Sequence, residues 1–110
     1  MRRSTILFKI DLDENNLPDK ITWKASDKQD IESNTKAVAV SLWDPDQQNT
    51  LKIDLWTKDM RVEEMDKFLV DTLGGLSQTM LNATGDTFIS NSINTLCDQL
   101  ATHIKNKTYG

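Results

Sequence analysis

Residues 35–57, TKAVAVSLWDPDQQNTLKIDLWT, decide the fold, because apolar and small residues alternate on both sides of a polar turn. Before the turn, residues 35–43 carry Val and Ala, and after it residues 50–57 alternate Leu or Ile with polar residues. The turn at residues 44–49 contains Asp, Pro and Asn, which favour turn conformations. A period of two on each side of a short turn predicts two antiparallel strands.

Two upstream segments, residues 6–12 (ILFKIDL) and 20–25 (KITWKA), show the same alternation. A turn at residues 13–18 joins them, and its Pro18 cannot donate to a strand ladder. The polar residues 26–34 predict a surface loop. Short links between successive strands predict antiparallel neighbours, so four strands are expected in one sheet. Ile6, Phe8, Ile10 and Leu12 are expected on one face of the first strand. Ile21 and Trp23 are expected on one face of the second, with Trp23 in the core, and Leu51, Ile53 and Leu55 are expected to face inward.

After residue 58 the apolar period becomes helical. Asp59 is the expected N-cap of a first helix, Gly85 its end, and Asp86 the N-cap of a second. The first helix contains Gly74 and Gly75, which indicate either a bend or the close approach of another backbone. The two apolar stripes are Val62, Met65, Leu69, Leu73, Leu76 and Met80, with Phe68 at the border, and Ile89, Ile93, Leu96, Leu100 and Ile104, with Phe88, Cys97 and Ala101 beside them.

The order ββββαα predicts one α+β domain over residues 1–110. A four-stranded antiparallel sheet is expected over residues 1–58, and two C-terminal helices over residues 59–110 are expected to pack on one face of it.

Composition narrows the class of protein. The 110 residues carry a net charge of −4, which disfavours nucleic-acid binding. A single cysteine, Cys97, excludes an intrachain disulfide and suits a reducing compartment. The charge at Lys9 breaks the apolar run after Arg2 and Arg3, so we expect no secretion signal, no direct membrane insertion and a cytoplasmic location.

The polar motifs favour structural roles over chemistry. Asp11, Asp13 and Asn15 have the initial spacing of a calcium loop, but the Gly and Glu that such a loop needs are absent. Cys97 and His103 point to different faces of one helix, which disfavours a shared metal or catalytic site. We therefore expect no enzyme activity, no cofactor and no metal.

Adjacent carboxylates do not change that expectation. Glu63 and Glu64 diverge by about 100° on a helix, so they cannot form an acid–base pair. Both suit the positive end of the helix dipole in its first turn.

The third strand is apolar on both faces, whereas two helices can cover only one face. The residues expected at an interface are Leu7, Val38, Val40, Leu42, Trp43 and Trp56. Trp56 is expected opposite the Leu51 face, because it is out of phase with that residue. A homo-oligomer through the second sheet face is the favoured interpretation. The alternative is that sheet twist and long Lys side chains shield a central strand.

Three segments carry a resemblance to a known family: residues 12–23 (LDENNLPDKITW), 42–45 (LWDP) and 49–60 (NTLKIDLWTKDM). Together they resemble the gliding motility protein GldC family of Bacteroidetes. The similarity extends over most of residues 4–70 and the link at residues 83–86 (ATGD).

The resemblance implies a small soluble cytoplasmic protein associated with the gliding apparatus, without known catalytic residues. It favours a non-enzymatic accessory or assembly protein that acts through protein–protein contacts, with itself and with other gliding components.

The order of strands and helices is also similar to that of the SecB export chaperone, in topology alone. That likeness implies the alternative function of a holdase chaperone for unfolded envelope or secreted proteins.

Overall fold

The computed structural model describes residues 1–109, and within them five strands precede two helices. The strands are β1 (Ile6–Leu12), β2 (Pro18–Ala25), β3 (Ser33–Thr35), β4 (Ala37–Asp44) and β5 (Asn49–Trp56). The helices are α1 (Val62–Thr84) and α2 (Thr87–Lys105), and a 3-10 helix spans Ser26–Lys28. The predicted α+β class, with both helices following the strands, is confirmed.

The prediction of one four-stranded sheet is wrong. β1, β2 and β3 form a three-stranded antiparallel sheet, and β4 and β5 form a separate two-stranded ribbon. The predicted third strand divides at Lys36, and residues 33–34, predicted as loop, pair with β2. The hydroxyl of Thr35 donates to the Ala37 carbonyl at 3.1 Å across this division, a local bond that competes with a regular ladder.

The chain divides into two compact units, the first ending at Met60 and the second beginning at Arg61. The division falls near the predicted boundary between strands and helices at residue 58. The packing of the helices on one sheet face, and a single domain over the whole chain, stay predictions.

The β1–β2 register places the predicted residues on one face of the three-stranded sheet. Phe8 lies opposite Trp23, and Ile10 lies opposite Ile21. Ile21 is 1% exposed and is the buried apolar side chain of this sheet. Leu12 follows an irregularity in the register, and both Leu12 and Ile6, at the two ends of β1, are exposed.

Backbone hydrogen bonds close the first unit where the sheets meet. The N–H of Thr57 donates to the carbonyl of Lys36 at 2.8 Å, and the N–H of Lys58 donates to the carbonyl of Pro18 at 3.0 Å. The Lys58 ammonium also contacts Asp13 at 3.0 Å and Asp19 at 3.3 Å. The β1–β2 turn is thereby joined to the end of β5.

The first helix begins later than the sequence predicts. Arg61 is its N-cap, and the Glu64 carboxylate accepts a hydrogen bond from the Arg61 N–H at 3.1 Å. Asp59, the expected N-cap, instead accepts a hydrogen bond from the Thr57 hydroxyl at 2.6 Å. Its carboxylate is therefore used in the turn before the helix, which explains why that prediction is wrong.

The link between the helices agrees with the predicted caps. Gly85 has φ of 72° and its N–H donates to the Leu81 carbonyl at 2.9 Å, which ends α1 in a left-handed conformation. The Asp86 carboxylate accepts from the Ile89 N–H at 3.1 Å and caps α2. α1 continues through Gly74 and Gly75, and a Cβ at either would meet no described atom within 4 Å.

The contact between α1 and α2 is made by small side chains. Ser77 and Ser90 are 2% and 4% exposed, and they hydrogen-bond across the two helices. Further along, the Cys97 Sγ lies 3.9 Å from the Val70 carbonyl. The predicted stripe of α1 is covered only in part: Met65, Leu73 and Met80 are half-buried, whereas Val62, Leu69 and Leu76 are exposed.

Candidate interface

The two faces of the β4–β5 ribbon differ in chemistry. On one face the register opposes Val38 to Leu55, Val40 to Ile53 and Leu42 to Leu51, so that all six side chains are apolar. We call these six residues the apolar ribbon face. Leu42, Leu51 and Ile53 are 50%, 56% and 42% exposed. Leu51 and Ile53 were expected to face inward, yet nearly half of each side chain or more reaches solvent.

The other side of the ribbon, which we call the mixed ribbon face, combines aromatic, small and charged residues. Its pairs are Ala37 with Trp56, Ala39 with Asp54, Ser41 with Lys52, and Trp43 with Thr50. The predicted phase of Trp56 is confirmed, because it lies opposite the Leu51 face. Trp43 and Trp56 are both exposed and occupy opposite ends of the mixed ribbon face.

The six predicted interface residues therefore occupy three places. Val38, Val40 and Leu42 lie together on the apolar ribbon face, and the two tryptophans lie on the mixed ribbon face. Leu7 belongs to the other sheet, where it pairs with Lys24 beside Lys9 and Thr22. That the set acts as an interface stays a prediction, but its members do not form one continuous surface.

Sequence reasoning left Leu51, Ile53 and Leu55 out of the candidate surface. The hairpin carries the signal that would have found them. Once Asp44 is opposed to Asn49 across the turn, each residue of β4 has a defined partner on β5. Counting back along both strands opposes Val40 to Ile53 and completes the apolar face.

The alternative interpretation was that long Lys side chains shield the apolar third strand from water. The position of Lys52 does not support it. Its ammonium contacts the Asp54 carboxylate at 2.6 Å, and both residues lie on the mixed ribbon face. Since neighbouring residues of a strand point to opposite sides, the Lys52 stem does not lie over the apolar ribbon face.

Two shallow pockets adjoin the ribbon. One, of about 290 Å³, lies where the β1–β2 turn meets β5, and the other, of about 500 Å³, lies at the hairpin tip. Trp56 and Pro18 line the first, and Trp43 and Pro45 line the second. Apolar and aromatic walls of this kind suit contact with other apolar side chains. The remaining lining residues are Leu17, Asp54, Leu55 and Lys58 in the first, and Leu42, Asp44, Gln47, Asn49, Thr50 and Leu51 in the second.

Asp13 serves the β1–β2 turn. Its Oδ1 accepts from the backbone N–H groups of Asn15 at 2.8 Å and Leu17 at 3.0 Å, and its Oδ2 contacts Lys58 at 3.0 Å. The Leu17 backbone hydrogen bond, followed by the Lys58 hydrogen bond, lowers the pKa of Asp13. This carboxylate of the calcium-like motif is thus engaged by protein donors, as expected for a turn.

In the helical unit, a carboxylate ties the C-terminal segment to α1. Asp66 accepts from the Lys107 ammonium at 2.6 Å and from the Tyr109 hydroxyl at 2.7 Å. The Lys107 bond is the main cause that lowers the pKa of Asp66. The hydrogen bond to Asp66 raises the pKa of Tyr109 to about 12.

The other side chains considered for catalysis or metal binding do not lie together in the part of the chain that the structure describes. His103 is exposed, whereas Cys97 is half-buried against α1. Glu63 contacts the Arg61 guanidinium at 2.9 Å, and Glu64 accepts from the same residue. Among residues 1–109, no three His, Cys, Asp or Glu side chains group as metal ligands. None of the described helices has the length and apolarity to cross a membrane.

A family model described as gliding motility-associated protein GldC-like matches residues 18–106. This range includes β2 to β5 and both helices, and so all of the ribbon. No curated protein and no solved structure matches the chain.

Proposed function

Since the chain belongs to the gliding motility-associated GldC-like family, we propose that it is a non-enzymatic accessory or assembly protein of the gliding machinery. In this proposal it acts in the cytoplasm through protein–protein contacts. The observation that carries the proposal is the apolar ribbon face, where six apolar side chains pair without a polar residue among them.

The energetics of this face favour a binding role. Burying one Leu, Ile or Val side chain contributes about 1.5–3 kcal/mol. Leu42, Leu51 and Ile53 each retain a large exposed fraction, so a partner that covers them gains several such contributions. Continuous apolar surface of this kind on a water-facing strand pair is typical of interaction sites.

Charge favours a protein as the partner. The net charge of −4 opposes a phosphate backbone, and the ribbon itself carries one basic residue, Lys52, which is already paired with Asp54. A second apolar protein surface can cover the apolar ribbon face without placing an opposite charge against it.

The engagement of the carboxylates supports a non-enzymatic role. Asp13, Asp66 and Glu64 each accept hydrogen bonds that serve a turn, a terminal segment or a helix start. An acid–base catalyst needs a titratable group directed toward a substrate. These groups are directed toward neighbouring protein donors instead.

The SecB-like holdase is the second candidate, favoured by the wide spread of exposed apolar side chains. On the helices, Phe88 is 79% exposed, and Leu69 and Leu76 are also exposed. A chaperone for unfolded chains benefits from several apolar surfaces, whereas an assembly protein needs one defined surface.

Val40→Lys separates the two functions, and Ser41→Lys is its matched control. Val40 lies on the apolar ribbon face, and Ser41, its neighbour in β4, lies on the mixed ribbon face. Each variant replaces the wild-type chain in gliding cells, and circular dichroism checks that both fold. The readouts are gliding speed, complex formation with named gliding components, and suppression of aggregation of denatured client proteins.

For the assembly function, Val40→Lys abolishes gliding and one defined complex, while Ser41→Lys retains both. For the holdase, the wild-type chain suppresses aggregation of unrelated clients, and Val40→Lys loses that protection. Normal gliding together with unchanged complexes in the Val40→Lys strain contradicts the proposal that this face acts.

A further inference from the structure

The outer edge of the ribbon has unused hydrogen-bonding capacity. Among the described residues, the only ladder partner of β5 is β4. A two-stranded ribbon is marginally stable in water by itself, and an unpaired strand edge is a template for a further strand. Just beyond β5 the Lys58 N–H already donates to the Pro18 carbonyl. The part of the edge facing away from β4 that can accept an extended strand therefore lies before that contact and is centred on Ile53.

The residues of β5 are symmetric in chemistry about Ile53. Leu51 and Leu55 flank it at two residues, and Lys52 and Asp54 flank it at one residue with opposite charges. An antiparallel copy of this strand centred on Ile53 opposes Leu to Leu and Lys to Asp. A strand that must recognise an unrelated partner has no need of such symmetry.

We propose that β5 pairs antiparallel with β5 of a second copy of this chain, with Ile53 on the two-fold axis. Lys52 then lies opposite Asp54 of the partner subunit, and Leu51 opposite Leu55 of the partner subunit. The two ribbons join into a four-stranded sheet whose apolar ribbon faces are continuous. This inference goes beyond the proposed function, because it assigns the self-association expected from the sequence to the edge of β5 and gives it a defined register.

Charge favours this register over the two adjacent ones. Paired side chains of an antiparallel ladder lie on the same face, so the two-fold axis must pass beside a residue. An axis beside Lys52 or beside Asp54 would oppose two like charges at that residue. An axis beside Ile53 opposes unlike charges twice, and both residues are about half exposed on the mixed ribbon face, where they can reach a partner.

The apolar ribbon face favours the same arrangement. Pairing at Ile53 brings Leu51, Ile53 and Leu55 of each copy into cross-strand contact. Because Leu51 and Ile53 are exposed in the single chain, this contact covers apolar surface that water otherwise meets. Hydrogen bonds and apolar contacts are gained along the same strand.

Charge reversal tests the pairing. Lys52→Asp opposes two aspartates to each other twice in the homodimer, and Asp54→Lys does the same with lysines. We expect each single variant to raise the dimer dissociation constant by about tenfold or more. A mixture of the two variants, or the double variant Lys52→Asp with Asp54→Lys, restores unlike pairs and the wild-type dissociation constant.

The matched controls are Lys67→Asp and Asp71→Lys, which make the same charge changes at an exposed ion pair of 2.9 Å on α1. The measurement is sedimentation equilibrium over a dilution series of the full chain. A wild-type chain that stays monomeric throughout, or single variants as dimeric as the controls, would overturn the proposal.

Cross-linking tests the register separately from charge. In a Cys97→Ser background, Ile53→Cys places two thiols on the axis, where paired Cα atoms lie about 4.5–5.5 Å apart. That separation suits a disulfide, so oxidised glutathione should convert the variant to a covalent dimer. The control Leu51→Cys offsets its two Cα atoms by about 13 Å along the strands and should stay uncross-linked.

Equal cross-linking of Ile53→Cys and Leu51→Cys, or none with either, contradicts the Ile53 axis. These assays measure self-association in the purified chain and do not depend on gliding. If the purified chain does not self-associate in these assays but Val40→Lys still abolishes gliding, the proposed function stands and the partner is a different protein.

Discussion

Ser77 on α1 donates its hydroxyl proton to the carbonyl oxygen of Ser90 on α2 at 2.9 Å, and the two hydroxyl oxygens lie 2.8 Å apart. Both residues are almost fully buried, so the helices meet through a polar contact that water does not reach. Small side chains let the two backbones approach closely at this level. The contact defines which faces of α1 and α2 pair.

Ser77→Ala should destabilise the helical unit. The substitution leaves the buried Ser90 hydroxyl without its partner, at a cost of about 1–3 kcal/mol. The measurement is the free energy of unfolding from urea denaturation. The control is Thr79→Ala, since the exposed Thr79 hydroxyl donates only to Gly75 within α1. Equal stability of the two variants would contradict a structural role for the serine pair.

Gly74→Ala and Gly75→Ala should each stabilise α1 by about 0.8–1 kcal/mol. Alanine has the higher helix propensity, and a Cβ at either position has open space. Gly85→Ala should do the opposite, because its φ of 72° strains any residue with a Cβ. Thermal unfolding followed by circular dichroism checks all three. A loss of stability at Gly74 or Gly75 would indicate a close contact outside the structure described.

Tyr109 should ionise late, with its pKa raised to about 12 by the hydrogen bond to Asp66. The chain has a single tyrosine, so tyrosinate absorbance reports this residue alone. Asp66→Asn should move the midpoint back toward 10, the ordinary value. Asp71→Asn, on the same helix, is the control and should not. A wild-type midpoint near the ordinary value would exclude the hydrogen bond in solution.

The same pKa shift determines how the folding stability depends on pH. Because the pKa of Tyr109 is higher in the folded chain, its contribution is complete below pH 10 and is lost as the pH rises through about 12. Asp66 behaves oppositely, since its pKa is lowered from 3.8. Its contribution is present above that value and is lost as the pH falls through the folded pKa.

Ile21→Ala should cost about 2–5 kcal/mol in the strand unit. Ile21 is 1% exposed and lies between Ile10 on β1 and Thr35 on β3. The control is Ile31→Ala, at an exposed position outside the strands, which should change the unfolding free energy little. Chemical denaturation followed by tryptophan fluorescence is suitable, because all three tryptophans lie in this unit. Similar losses in both variants would argue against a core at Ile21.

Local features were predictable from the sequence to different degrees. Alternation placed Trp56 on the side of its strand opposite Leu51, and the register agrees. The caps at Gly85 and Asp86 were likewise readable, because each depends on one residue type and its immediate neighbours. Asp59 was misassigned because its carboxylate bonds Thr57 instead, and chain order alone does not distinguish these two uses.

Longer-range features were not readable in the same way. β3 consists of Ser-Asn-Thr, which has no apolar alternation to reveal a strand. The helix contact at Ser77 and Ser90 escaped detection because a hydrophobic stripe is found from large apolar residues, whereas close packing here uses small polar ones. Both features depend on partners that are distant along the chain.

The sequence by itself determined the α+β order, the turns, the caps at Gly85 and Asp86, and the side of each strand on which a residue lies. These follow from backbone periodicity and from hydrogen bonds within a few residues. Only the tertiary structure decided that the strands divide into two sheets at Lys36 and that Ile53 lies exposed on an apolar face. Strand pairing and burial are set by competition among distant segments for the same hydrogen bonds and the same apolar contacts.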